Sequence, residues 1–127
     1  MEKTMEFLTQ DEAIQVDAAL LSSKEKFSTR LAIYALRCLK EISQTEDIII
    51  ENIKPEQVQN WVRNDSSFQE NIEFDANFDS FFTQLLMASL NPLKQAAKAE
   101  NIPIQDLTVK QLIHWFEQES KKNLEQD

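Results

Sequence analysis

The sequence predicts an all-α fold: a single-domain helical bundle of two tandem helix–loop–helix repeats behind an N-terminal helix. Three observations predict it. The 127-residue chain contains no glycine, so turns that need positive φ fall to Asn or Asp, and hairpin-rich β folds and glycine-rich phosphate loops are disfavoured. Apolar residues recur at helical spacing over long stretches. The chain also matches itself at an offset of 54 residues. At that offset Phe27 falls on Phe81, Thr29 on Thr83, Leu31 on Leu85, Leu36 on Leu90, Leu39 on Leu93 and Lys40 on Lys94. Glu46, Ile48, Ile50, Gln57, Trp61 and Ser66 fall on Glu100, Ile102, Ile104, Gln111, Trp115 and Ser120. Identities gathered at apolar and capping positions mark one structural unit used twice.

The N-terminal helix is predicted at about residues 10–21. Thr9-Gln-Asp-Glu12 reads as a capping box, and Ala13, Ile14, Val16, Leu20 and Leu21 form its apolar side. Repeat one spans 22–66. Ser22-Ser-Lys-Glu25 caps a long helix whose core face is Phe27, Leu31, Tyr34, Ala35, Cys38, Leu39 and Ile42. Ile48 and Ile50 then alternate as a short extended piece with one side buried. Pro55, at the favoured first position, opens a shorter helix that turns Val58, Trp61 and Val62 inward.

The junction "NDSSFQENIEFDAN" is polar and acidic, and Asn77 or a neighbour should cap the next helix. Repeat two spans 76–120, with Phe81, Phe82, Leu85, Ser89, Leu93 and Ala96 on the matching face. Pro92 stands where repeat one has Cys38, and should kink or split the helix near Ala88. Ile102 and Ile104 repeat the loop, with Pro103 excluding a central strand. Thr108-Val-Lys-Gln111 caps the last helix, which points Leu112, Trp115 and Phe116 inward. The tail 121–127 should fray. Neither unit is large enough to bury its own face, so one domain over 1–127 is expected.

The net charge is −9, from 22 acids against 13 bases. This balance disfavours nucleic acid and anionic lipid as partners, because both are held by excess Lys and Arg. The start lacks the apolar core of a signal peptide, and no run is long and apolar enough to cross a membrane. One cysteine, Cys38, excludes an intrachain disulfide. A cytoplasmic protein with no cofactor is expected.

Residues able to do chemistry are few. His114 neighbours Lys110 and Gln118 on a polar face and reads as a solvated histidine. Cys38 reads as a buried thiol, and one His with one Cys cannot build a zinc site. Asp75-Ala-Asn77-Phe-Asp79 begins like a calcium loop. It then fails at the turn position, Ser80, and at the position of the bidentate acid, Leu86. Weak cation binding at the acidic 65–79 junction is therefore only a third alternative.

Charge is unevenly placed. Asp65, Glu70, Glu73, Asp75 and Asp79 occupy a span without Lys or Arg, either a solvated surface or a docking patch for a basic partner. Lys26, Arg30, Arg37 and Lys40 form a basic stripe opposite the core face of the first long helix, interrupted only by Ile33. At the matching places repeat two has Ser80, Gln84, Asn91 and Lys94, so the stripe is not part of the shared unit. Trp61 and Trp115 repeat strictly and read as packing. Ile33, Met87 and Phe68 lie outside the shared pattern and are the apolar candidates for binding.

The stretch "VDAALLSSKEKFSTRLAIYALRCLKEI", followed twice by I-x-I-x-x-L/I-x-x-x-Q-x-x-x-W, resembles small, all-helical cyanobacterial proteins of uncharacterised function. The resemblance covers nearly the whole chain, implies a cytoplasmic protein and supplies no catalytic residues. The predicted role is a non-catalytic protein–protein interaction module: a small adaptor, assembly or regulatory factor. It would dock through Lys26, Arg30, Ile33, Arg37 and Lys40, through the acidic junction, or through both. The partner is a protein, and a homodimer is consistent with opposite charges on the two halves. The alternative is a nucleic-acid-associated regulator reading phosphates with the basic stripe.

Overall fold

The computed structural model describes residues 8–64 and 76–125, which contain helices and 3₁₀ turns and no strand. In order these are α1 (Gln10–Ala18), α2 (Ser23–Glu46), a 3₁₀ turn (Ile50–Asn52), α3 (Pro55–Arg63), α4 (Ala76–Ala88), α5 (Leu90–Glu100), a second 3₁₀ turn (Ile104–Asp106) and α6 (Val109–Glu125).

The capping signals start the helices where the sequence places them. Thr9 Oγ1 accepts from Glu12 N–H at 3.1 Å while Glu12 Oε1 accepts from Thr9 N–H at 3.0 Å. Ser22 and Glu25 exchange the same pair of bonds at 3.2 and 2.8 Å, as do Thr108 and Gln111 at 3.1 and 3.0 Å. Each satisfies two backbone donors that a helix start leaves over, a contribution of about 1 kcal/mol.

The matched register recurs in backbone geometry. α2 and α5 both end on a left-handed residue, Asp47 at φ 56° and Asn101 at φ 60°. Asp and Asn tolerate this region best in a chain without glycine. Ile48 N–H then reaches back to Ser43 O at 3.2 Å, and Ile102 N–H to Ala97 O at 3.0 Å, closing equivalent helix ends. The 3₁₀ turns follow at matched positions. They replace the expected extended pieces: Ile49 and Pro103, one residue before each turn, and Ile53 and Leu107, one residue after, are extended. A lone strand here would leave its backbone groups unpaired, whereas the turn bonds them locally. The one-sided burial survives, with Ile50 and Ile104 buried and Ile49 turned out.

The break falls at Ser89, between α4 and α5. Pro92 has no N–H to offer the Ala88 carbonyl, so the ladder is interrupted there, while in α2 the equivalent Cys38 continues it. Ser89 Oγ donates to Leu85 O at 3.3 Å and helps close the end of α4.

Buried residues of both halves form one core that includes Tyr34, Leu39, Ile50, Val58, Val62, Phe82, Leu86, Leu93, Leu107 and Leu112. α3 packs on α2 and α4, while α6 packs on α5 and α2, so each short helix touches both long arms. Several expectations are corrected. Phe27 and Phe81 leave the core face and are 52% and 59% exposed; two residues on, Thr29 and Thr83 are buried instead. Thr29 Oγ1 donates to Glu25 O at 2.7 Å, whereas Thr83 Oγ1 finds no partner among the described residues. α1 ends at Ala18, short of residue 21, because Ser22 must be extended to cap α2. Only Val16 of α1 is fully buried; Ile14 and Leu20 are exposed. α6 continues through 121–125, expected to fray, because no Gly or Pro stops it and Lys122 pairs with Glu119 at 3.2 Å.

Candidate functional site: a groove at the helix break

The basic stripe is not a solvated face: it seats α1. Arg30 pairs with Asp17, and Arg37 with Glu12. Lys26 Nζ donates to Asp17 O at 2.9 Å, and Lys40 Nζ to Leu107 O at 2.9 Å. Between the two arginines Ile33 lies on the face that α1 covers, 1% exposed. Its expected role as an exposed binding residue is thereby corrected: the spacing that put it among bases also put it under a helix. Met87, its counterpart at the 54-residue offset, is half-buried against the core. The matched polar positions Ser80, Gln84, Asn91 and Lys94 are exposed. Asp65, Phe68, Glu70, Glu73 and Asp75 lie outside the described residues, as does the side chain of Asp79. His114 is exposed and Cys38 is buried. Among the described residues no three His, Cys, Asp or Glu gather as metal ligands. No helix there is long and apolar enough to cross a membrane.

What the helices do create is a groove of about 670 Å³ at the α4–α5 break. The first turns of α2 give it Phe27, Ser28 and Leu31; α4 and α5 give Leu85, Ala88, Ser89, Asn91 and Pro92; α6 gives Trp115, Phe116, Glu119 and Ser120. Its size and mostly apolar wall are those of a binding cleft. Trp115 and Phe116 stack edge to face in the wall, centroids 5.1 Å apart, and both are half-buried.

The mouth is polar. Glu25 accepts from Ser22 N–H and from Ser120 Oγ at 2.9 Å, linking the start of α2 to the end of α6. The Ser22 backbone bond, then the Ser120 hydroxyl, hold the Glu25 carboxyl below the usual Glu value, against a smaller opposing effect of burial. Glu25 thus remains an anion in the lining of the groove, which also includes Glu119 and Lys24.

The groove has a filled counterpart in the same molecule. At the 54-residue offset Ala88 corresponds to Tyr34, Trp115 to Trp61 and Phe82 to Ser28. Tyr34 is 1% exposed, edge-on to Trp61 at 5.6 Å and tilted against Phe82 at 5.9 Å. At each of these three positions one interface between the halves has an aromatic ring. The other keeps its tryptophan and replaces the remaining two rings with Ser28 and Ala88. Both residues line the groove. Sequence reading paired Cys38 with Pro92 but passed over the Tyr34/Ala88 and Ser28/Phe82 differences. They were visible at the same offset, as two aromatic losses flanking a conserved tryptophan position in the repeat.

The family model for NDH complex assembly factor CRR9 matches residues 8–123, which takes in α1 and every groove residue. The chain belongs to this family. The assignment is more specific than a likeness to small, uncharacterised cyanobacterial proteins. Comparisons with curated proteins and with solved structures find no match.

Proposed function

We propose that this chain is a non-catalytic assembly factor that holds a protein subunit of an NDH complex while the complex is built, and docks it in the groove at the α4–α5 break. The observation that carries the proposal is the family match over residues 8–123. The groove supports it as the place of contact: an apolar wall beside a helix break, with Phe27 52% exposed at its edge. Apolar walls with polar rims suit protein contacts, in which buried aromatic anchors carry most of the affinity. The net charge of −9, with the acidic residues of 65–79, adds a long-range field that favours a basic subunit surface. The basic stripe contributes indirectly, by fixing α1.

Depleting the protein from its native cell should lower the amount of assembled NDH complex, and re-expression should restore it. Re-expression of Phe27→Asp, an exposed position that folding tolerates, should not. Unchanged complex levels after depletion would refute the assembly role.

A further inference from the structure

The filled counterpart of the groove indicates what belongs in it. Where one interface is closed by Tyr34, edge-on to Trp61 and tilted against Phe82, the other offers Trp115 with Ala88 and Ser28 at the matched positions. Trp61 and Trp115 are both half-buried, but the two positions beside Trp115 are truncated, which leaves an open groove shaped for aromatic rings supplied from elsewhere. Resting on the docking role above, we infer that the groove takes a partner helix presenting two aromatic side chains about one turn apart, one packed on Trp115 and the second on the first, as Tyr34 packs on Trp61 and Phe82 on Tyr34.

The spacing follows from the counterpart. The Tyr34 and Phe82 ring centroids lie 5.9 Å apart. Side chains three or four residues apart on one helix are separated by a similar distance, so one short helix can deliver both rings. The mouth sets the flanking charge. Glu25 and Glu119 outnumber Lys24, and the whole chain carries −9, so the helix has a Lys or Arg beside its aromatic pair. The break at Ser89 contributes too: an uninterrupted helix bearing a tyrosine at this point is what closes the other interface.

The test uses the full chain and synthetic helical peptides. The probe carries Phe at positions four apart with Lys on both sides; a control carries Ala at both Phe positions. In a Trp61→Phe background Trp115 is the only tryptophan, and its emission should shift to the blue as the Phe peptide is added. Each Phe replaced by Ala should weaken binding roughly tenfold or more. The double variant Ser28→Phe with Ala88→Tyr rebuilds the missing cluster. It should show blue-shifted Trp115 emission without peptide, and at least about tenfold weaker peptide binding. If the double variant does not fold, Ala88→Tyr alone, at an exposed position, carries the same comparison. Three outcomes overturn the inference: no binding of the Phe peptide, equal binding of the Phe and Ala peptides, or unchanged peptide binding by the filled variant. A wild-type chain that self-associates through the groove, and becomes monomeric on filling it, also overturns it by naming a second copy as occupant. None of these outcomes alters the effect of depletion on NDH complex levels, so the assembly role and the nature of the occupant stand or fall separately.

Discussion

The Tyr34–Trp61–Phe82 interface and the Ser28–Ala88–Trp115 groove occupy matched positions in the two halves, yet one is closed and the other open. Around them the halves agree. Both long arms end on a left-handed residue, both pass through a 3₁₀ turn, and both open a short helix whose residue three places after the cap, Gln57 or Gln111, accepts from the cap N–H. The lesson is that a shared frame fixes the backbone while a few side-chain exchanges decide where surface is left for use.

The largest expected effect contrasts the two interfaces directly. Tyr34→Ala should cost about 3–5 kcal/mol, because it empties a fully packed site. Trp115→Ala should cost clearly less despite removing a larger ring, since that ring is only half-buried. Urea denaturation of both variants would measure this, and equal losses would erase the distinction. The matched turns should instead respond alike. Asp47→Val and Asn101→Val should each cost about 1–2 kcal/mol, because a β-branched residue is forced into the left-handed region.

Smaller effects separate the halves again. Thr29→Val loses a hydrogen bond and should cost about 1 kcal/mol, while Thr83→Val removes a buried hydroxyl that has no partner among the described residues and should be neutral or stabilising. The smallest effect is electrostatic. The Glu25 carboxyl titrates below its usual value in the folded chain, so its contribution to stability is complete above the ordinary Glu range and fades as pH falls through the lower folded value. Glu25→Gln keeps a residue able to cap α2 and should flatten the acid limb of a stability–pH curve, with little change near neutrality.

The capping boxes, the helix break near Ala88 and the core positions of α2 were legible because they depend on local chemistry: a hydroxyl three residues before an acid or amide, a missing N–H, and a period of 3.6. Phe27 and Phe81 were misplaced because periodicity reports the face of a helix and not how far along that face its neighbours reach. Ile33 was misplaced for the converse reason: its polar neighbours marked it as exposed, but Arg30 and Arg37 pair with Asp17 and Glu12 of α1, which packs on α2, and Ile33 is buried. The groove was half legible. Its tryptophan was read as packing by analogy with Trp61, and only the three-dimensional neighbours of Tyr34 show that the matched positions beside Trp115, Ala88 and Ser28, lack the rings of Tyr34 and Phe82.

On the proposed function, the open interface is the working surface of an assembly factor. The most direct test is the level of assembled NDH complex in cells whose own copy is replaced by Ser28→Phe with Ala88→Tyr. A filled groove should leave a folded, normally abundant protein and an NDH complex as depleted as in cells lacking the protein. Full recovery of the complex by that filled variant would contradict the account.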